Sequence, residues 1–71
     1  MAQQTWIEGV VRWFDDMKGE GLVRDHDGNS FYVHHSAIID SKTKALKKNQ
    51  KVKFQLIKDS HFTHVSKLKE A

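Results

Sequence analysis

The chain contains no cysteine, so neither a disulfide nor a thiolate metal site can contribute to its stability or chemistry. No run of apolar residues is longer than three, which excludes a transmembrane helix. Residues 1–5 include no basic residue and lead into no apolar run, so we expect no signal peptide. These absences lead us to expect a cytoplasmic protein that does not bind membranes.

With 71 residues, the chain has room for one small domain and little room for an elaborate buried active site. Hydrophobic residues make up 38% and charged residues 30%, which is typical of a folded domain rather than a disordered segment. We therefore expect a monomer that binds a partner at its surface. We expect no enzymatic activity, no cofactor and no small-molecule substrate.

The net charge of +3 is unevenly distributed along the chain. Residues 1–40 carry three basic and seven acidic residues, a net charge of −4, whereas residues 41–71 carry nine lysines and two acidic residues, a net charge of +7. A basic protein favours a polyanionic partner, such as nucleic acid, or an anionic membrane surface. The lysine-rich segment 42–53 is also compatible with a solvated surface.

Short apolar clusters rich in β-branched and aromatic residues alternate with turn signals such as Asp27-Gly28. This pattern predicts an all-β protein, a five-stranded barrel or sandwich. The predicted strands span residues 5–14, 18–24, 30–35, 50–57 and 62–68. A short helical turn is expected at residues 36–38, followed by a surface loop through residue 48.

The alternation of side chains along a strand predicts which face is buried. In the third and fourth strands the apolar set faces the core: Phe31, Val33, Val52, Phe54 and Leu56. The polar set faces solvent: Tyr32, His34, Lys51, Lys53 and Gln55. In the second strand Gly19 and Gly21 face inward, where glycine lets a small barrel bend.

Three neighbouring strands then share one outer face that combines rings with charges. Its predicted residues are Arg12, Phe14, Glu20, Leu22, Tyr32 and His34, with Trp13 near the rim and Lys18 beside it. Arg12 and Phe14 lie on this face, and Trp13 on the other, unless the first strand bulges near its end. Single-stranded nucleic acid binds to such surfaces, because bases stack on the rings and cations neutralise the phosphates.

Three blocks of this sequence resemble the bacterial cold-shock domain: residues 9–14 (Gly-Val-Val-Arg-Trp-Phe), 18–23 (Lys-Gly-Glu-Gly-Leu-Val) and 31–38 (Phe-Tyr-Val-His-His-Ser-Ala-Ile). In that family the second block is typically Lys-Gly-aromatic-Gly-Phe-Ile. The third is typically Val-Phe-Val-His-Phe followed by Ser-Ala-Ile. The order and spacing match from residue 9 to about residue 54. The resemblance implies one domain over residues 1–71, a five-stranded antiparallel oligonucleotide-binding (OB) barrel that binds single-stranded RNA and DNA.

The resemblance and the predicted outer face together give a set of nucleic-acid-binding residues: Arg12, Trp13, Phe14, Lys18, Leu22, Tyr32, His34 and His35. The chain departs from the family at four positions where aromatic residues are usual: Glu20, Leu22, His35 and Thr43. We expect the missing rings to weaken binding by roughly 2–4 kcal/mol. The lysines of segment 42–53 compensate if they flank the same groove.

The acidic pairs, the histidine pairs and Phe62 give weaker indications of function. The acidic pairs Asp15-Asp16 and Asp25/Asp27 fall in predicted turns, so we interpret them as turn-forming rather than catalytic. The histidine pairs have no carboxylate placed to complete a metal site, so we predict no metal. Phe62 either extends the outer face or closes the open end of the barrel.

We therefore predict a cold-shock-type protein that binds single-stranded RNA or DNA with little sequence preference and acts as an RNA chaperone. The alternative is a protein-interaction module on the same barrel. In that case Glu20, Leu22 and the histidines would form a mixed apolar and acidic patch, and nucleic-acid binding would be vestigial.

Overall fold

The computed structural model describes residues 5–39, 46–58 and 62–71. Its elements are β1 (Ile7–Asp15), β2 (Glu20–Asp25), β3 (Ser30–His34), a 3-10 helix (His35–Ala37), β4 (Lys51–Lys58) and β5 (Thr63–Glu70). All five predicted strands are present. The predicted helical turn is also present, one residue earlier than expected. None of the described residues belongs to a helix with the length and hydropathy needed to span a bilayer.

The strands close into a barrel in the order β1-β2-β3-β5-β4, which confirms the predicted five-stranded barrel. Four of the five pairings are antiparallel. The pairing of β3 with β5 is parallel and involves Tyr32 and His64, so the expected OB barrel closes through one short parallel seam. Ile38 continues the parallel contact by pairing with Leu68 after the 3-10 helix.

The interior of the barrel contains Val33, Val52 and Phe54, which alternation assigned to it, together with residues from the other strands and the 3-10 helix region. The fully buried residues with the largest side chains are Phe54, Ile38, Leu68, Val11, Val23, Val33 and Val52. Phe31 packs against this cluster, with its ring centroid 6.0 Å from that of Phe54. Tyr32, between the inward residues Phe31 and Val33, is exposed as predicted. The core thus fixes which side chains of β3 reach the outer surface.

A β-bulge between Val11 and Trp13 changes the faces of β1. Val11 is fully buried, Arg12 and Trp13 are both exposed, and Phe14 packs against the core. A bulge inserts one residue into the ladder and so reverses the alternation beyond it. The placement of Phe14 on the outer face was therefore wrong, and Trp13 belongs to that face instead.

A second bulge lies between Gln55 and Leu56 in β4. Gln55 was expected on the solvent face, but it is only 7% exposed. Leu56, on the other side of the bulge, is half-buried and packs against the core. The backbone carbonyl of Gln55 accepts a hydrogen bond of 3.2 Å from Ser66 Oγ on β5. The prediction for Gln55 failed for the same reason as that for Phe14.

The acidic pairs form turns, as expected. Asp15 Oδ1 accepts backbone N–H bonds from Met17 (3.0 Å) and Lys18 (3.2 Å). Asp25 Oδ1 accepts backbone N–H bonds from Asp27 (3.0 Å) and Asn29 (2.9 Å). Desolvation acts to raise the pKa of Asp25, but these bonds, together with those from the Asn29 side chain and Gly28, hold it below its ordinary value. The turns position the strands that build the outer face.

Candidate nucleic-acid interface

The outer face of the barrel carries a row of side chains that crosses four strands. Trp13 lies opposite Leu22, Leu22 opposite Tyr32, and Tyr32 opposite His64. Trp13 is 45% exposed and Tyr32 is 39% exposed, whereas Leu22 and His64 are half-buried. We call Trp13, Leu22, Tyr32 and His64 the aromatic row. The rings of Trp13 and Tyr32 face solvent on either side of Leu22, and the half-buried His64 ring lies at the β5 end of the row.

The position of Trp13 in the aromatic row depends on the bulge in β1 and on Gly21 in β2. The bulge turns Trp13 outward and Phe14 inward. A Cβ atom at Gly21 would collide with the Trp13 carbonyl oxygen and lie 2.8 Å from Phe14 Cδ1. Only glycine leaves room for both groups, because real Cβ contacts are longer than this. Gly21 therefore lets β1 approach β2 closely under the aromatic row.

Cations flank one side of the aromatic row. Arg24 lies opposite Val10 and Ser30 in the neighbouring outward row, and Arg12 Nη1 donates a hydrogen bond of 3.2 Å to Ser30 Oγ. Arg12, Trp13, Arg24 and Lys48 line one open cavity of about 310 Å³. We call Arg12, Arg24 and Lys48 the cationic edge. Sequence reasoning included Arg12 and did not single out Arg24, although the alternation that placed Glu20 and Leu22 outward extends to it.

Carboxylates flank the other side of the row. Asp15 lies opposite Glu20, and Glu20 opposite His34. The Tyr32 hydroxyl donates a hydrogen bond of 3.2 Å to Glu20 Oε1, which ties the carboxylate to the rim of the ring. Burial raises the pKa of the Tyr32 phenol, and the hydrogen bond to Glu20 and its negative charge raise it further. The aromatic row thus separates a cationic edge from an acidic one.

His34 and His35 lie next to Glu20 on the acidic side of the aromatic row, near the turn that contains Lys18. His34 Nδ1 accepts a hydrogen bond of 3.2 Å from the Ser36 backbone N–H and lies 2.9 Å from Ser36 Oγ. The His34 and His35 ring centroids are 4.3 Å apart. His35 lies against Gly19, to whose carbonyl its backbone N–H donates at 2.8 Å. Lys18 and His35 are exposed, so both predicted residues are accessible beside the aromatic row.

The far end of the aromatic row opens into a cavity of about 430 Å³ at the seam between β3 and β5. Tyr32, His34, Ile57, Phe62 and His64 are among its lining residues. Phe62 is 57% exposed, and its ring centroid is 5.3 Å from that of His64, so Phe62 extends the outer face. No pattern in the sequence placed His64 here, because the β3–β5 pairing joins residues far apart in the chain. Thr43 lies outside the described residues.

Comparison with known proteins agrees with this geometry. The model of the 'Cold-shock' DNA-binding domain family matches residues 7–65. The chain belongs to this cold-shock family. It is 37% identical over 51 residues to the cold shock-like protein CspC of Bacillus cereus, covering 72% of this chain and 78% of that protein. It is 46% identical over 46 residues to cold shock protein 1 of Lactiplantibacillus plantarum, covering 65% of this chain and 70% of that protein.

A third cold-shock relative is the major cold shock protein CspA of Pseudomonas aeruginosa, which is 39% identical over 49 residues, covering 69% of this chain and 71% of that protein. Family membership confirms the predictions of an OB-type barrel and of a nucleic-acid-binding cold-shock protein. The departures at Glu20 and Leu22 fall directly on or beside the aromatic row. They change the surface on which stacking was expected and leave the barrel intact.

Proposed function

We propose that this cold-shock protein binds single-stranded RNA and DNA on the outer face of β1–β3 and acts as an RNA chaperone. The observation that carries this proposal is the aromatic row, with Trp13 and Tyr32 exposed on either side of Leu22. Unpaired bases stack on such rings, whereas the bases of a duplex have their faces covered. Stacking does not distinguish bases by their hydrogen-bonding edges, so we expect little sequence preference.

The charges beside the row support one path for the phosphate backbone. The cationic edge attracts phosphates, and the carboxylates of Asp15 and Glu20 repel them. A strand whose bases cover Trp13 and Tyr32 therefore has its backbone on the side of Arg12 and Arg24. Lys48, from the lysine-rich segment 42–53, adds a positive charge at the same place. This supports the expectation that lysines of that segment compensate for the missing rings if they flank the binding groove.

The affinity of this surface depends on which rings remain. Each base–aromatic stack contributes roughly 1–3 kcal/mol. Leu22 offers apolar contact without a π-face, and Glu20 offers none. Phe62 and His64 provide additional ring surface at the β3–β5 seam. We propose weak binding by a cytoplasmic monomer that keeps strands unpaired by mass action, without catalysis or a cofactor.

The two tryptophans allow a direct test. In the variant Trp6→Phe, Trp13 is the sole fluorescent tryptophan and reports only on the aromatic row. A short oligothymidine should quench Trp13, and a duplex of mixed sequence should not. Tyr32→Ala should weaken oligothymidine binding by roughly 1–3 kcal/mol. Tyr32→Phe is the matched control, because it keeps the ring and removes only the hydrogen bond to Glu20.

Equal quenching of Trp13 by duplex and oligothymidine would contradict stacking. No quenching by either nucleic acid, in a protein that remains folded by circular dichroism, would favour the protein-interaction alternative. In that case the patch formed by Leu22, Glu20 and the neighbouring histidines would be the contact surface for a protein.

A further inference from the structure

A second charged surface lies on the β4–β5 hairpin. Lys51 and Lys53 alternate with buried residues of β4, and Lys67 and Lys69 flank buried Leu68 of β5. These four lysines therefore share the outer face of the hairpin. We call Lys51, Lys53, Lys67 and Lys69 the lysine wall. None of them belongs to the aromatic row or to the cationic edge.

The lysine wall places two like charges directly opposite each other. Lys53 lies directly opposite Lys69, and Glu8 of β1 lies opposite Lys53 on its other side. The Glu8 carboxylate also lies 4.0 Å from His26 Nε2. Like charges directly opposite each other on neighbouring strands destabilise a sheet. Glu8, opposite Lys53, and the Trp6 ring, 4.2 Å from Lys69 Nζ, offset part of this repulsion.

Protection of a sheet edge does not account for these lysines. Lysine is common on exposed edge strands, where it prevents edge-to-edge aggregation. Here β4 pairs with both β1 and β5, and β5 pairs with both β4 and β3, so neither strand is an edge of the closed barrel. A bound polyanion would relieve the repulsion between Lys53 and Lys69 and account for their placement.

The lysine wall lies on β4 and β5, whereas Trp13, Leu22 and Tyr32 of the aromatic row lie on β1, β2 and β3. The two surfaces meet at their margins, because Val10 lies opposite both Arg24 and Lys51, and His64 is three residues from Lys67 on β5. Neighbouring strands are about 4.8 Å apart, so Lys51 lies about 10 Å from Arg24 across Val10, close to the Debye length of about 8 Å at physiological ionic strength.

We propose that the lysine wall is a second nucleic-acid-binding surface, which takes the phosphate backbone of a duplex while the aromatic row holds unpaired bases. A membrane surface fits less well, because membrane-binding faces combine cations with exposed apolar side chains. In the described residues none of the large exposed hydrophobic side chains lies among the four lysines, and the Trp6 ring, which contacts Lys69, is half-buried. A protein with both surfaces bridges two nucleic acids and raises their effective concentration near each other.

Trp6 provides a reporter for this surface. Lys69 Nζ lies 4.2 Å from the centroid of the Trp6 ring, so a phosphate that draws Lys69 away alters the environment of the indole. In the variant Trp13→Phe, Trp6 is the sole fluorescent tryptophan. Titration with a duplex of mixed sequence should change Trp6 fluorescence, although the same duplex leaves Trp13 unquenched in Trp6→Phe.

Affinity is measured separately, by fluorescence anisotropy of a labelled duplex. The double variant Lys53→Gln/Lys69→Gln should bind about tenfold or more weakly at low salt. It should also reduce the slope of log K against log salt by about 1.8, since each phosphate that a lysine neutralises accounts for about 0.9. The matched control Lys47→Gln/Lys58→Gln removes the same charge away from the lysine wall and should retain most of the affinity. An immobilised duplex should also capture labelled oligothymidine only when the wild-type protein is added.

Equal losses of affinity in the two double variants would overturn the proposal, because attraction would then be diffuse rather than local. An absence of duplex binding by the wild type would also overturn it. So would tighter binding to vesicles of phosphatidylcholine and phosphatidylserine in equal parts than to the duplex. The result is independent of the aromatic row, since Tyr32→Ala should leave duplex binding unchanged even if oligothymidine binding is abolished.

Discussion

Removal of the negative charge at Glu20 should strengthen the binding of single-stranded nucleic acid. Glu20 stands where the cold-shock family usually has a ring, and its carboxylate is held beside Tyr32 by a hydrogen bond of 3.2 Å. It therefore faces any strand that crosses the aromatic row. Glu20→Gln removes the charge and keeps an oxygen that accepts the Tyr32 hydroxyl, whereas Glu20→Phe also adds a ring.

The magnitude of the first step follows from the geometry of the sheet. Leu22 is two residues from Glu20 on the same face of β2, so a phosphate on the cationic side of Leu22 is about 7 Å or more from the carboxylate. At about 7 Å, two unit charges repel by about 0.6 kcal/mol in water. Salt lowers this repulsion and the low-dielectric barrel beneath raises it, so we expect about 0.3–1 kcal/mol, a gain in affinity of about two- to fivefold.

The further gain in affinity from Glu20→Gln to Glu20→Phe has a different origin. A base that stacks on the new ring of Glu20→Phe should add roughly 1–3 kcal/mol. Affinity should therefore rise in the order wild type, Gln, Phe. High salt should abolish the first gain, which is Coulombic, and leave most of the second. Stability should change little, because exposed strand positions tolerate either residue.

The assay is the quenching of Trp13 by oligothymidine in the Trp6→Phe background, at low and at high salt. Glu8→Gln is the matched control, because Glu8 is an exposed carboxylate of the same sheet that lies beside the lysine wall. It should leave oligothymidine binding nearly unchanged. If neither Glu20 variant binds better than the wild type, Glu20 is not on the ligand path and the stacking surface is misassigned.

Three further predictions concern Tyr32, Asp25 and Phe54. Because Glu20 contributes to the raised pKa of Tyr32, Glu20→Gln should lower that pKa toward its ordinary value of 10.0, as measured by the tyrosinate absorbance of the single tyrosine. Asp25→Ala should lower the thermal midpoint at neutral pH, and the difference should shrink below about pH 4, because a depressed carboxylate pKa stabilises the fold only while the group is ionised. Phe54→Ala should cost about 3–5 kcal/mol, comparable to the entire stability of so small a domain, so circular dichroism should show an unfolded chain.

Much of the barrel could be predicted because the order of residues within a strand determines which side chains share a face. In residues 30–35 the period of two separates Phe31 and Val33 from Tyr32 without reference to the rest of the chain. The turn residues Asp15 and Asp25 are equally local, since each carboxylate binds backbone N–H groups a few residues away. These features depend on sterics and hydrogen bonds between residues that are close in the sequence, so the sequence alone predicts them.

The errors arose where the structure depends on more than local alternation. Nothing in residues 9–14 distinguishes a regular strand from a bulged one, and the bulge exchanged the faces of Trp13 and Phe14. The position of His64 beside Tyr32 depends on the closure of the barrel between β3 and β5. Closure is a property of the whole fold, so this part of the site could be found only from the structure.

The distribution of charge on this barrel separates two contributions to nucleic-acid binding that a single surface usually combines. Stacking needs unpaired bases, whereas attraction to the backbone needs only phosphates and falls steeply with salt. Strands β1–β3 hold the rings together with Asp15 and Glu20, and the β4–β5 hairpin holds the lysine wall. The cationic edge holds phosphates directly beside the rings, and the lysine wall reaches it only at Lys51, which lies opposite Val10 as Arg24 does. A carboxylate at position 20 consequently opposes binding at the aromatic row in a way that the net positive charge of the chain does not offset.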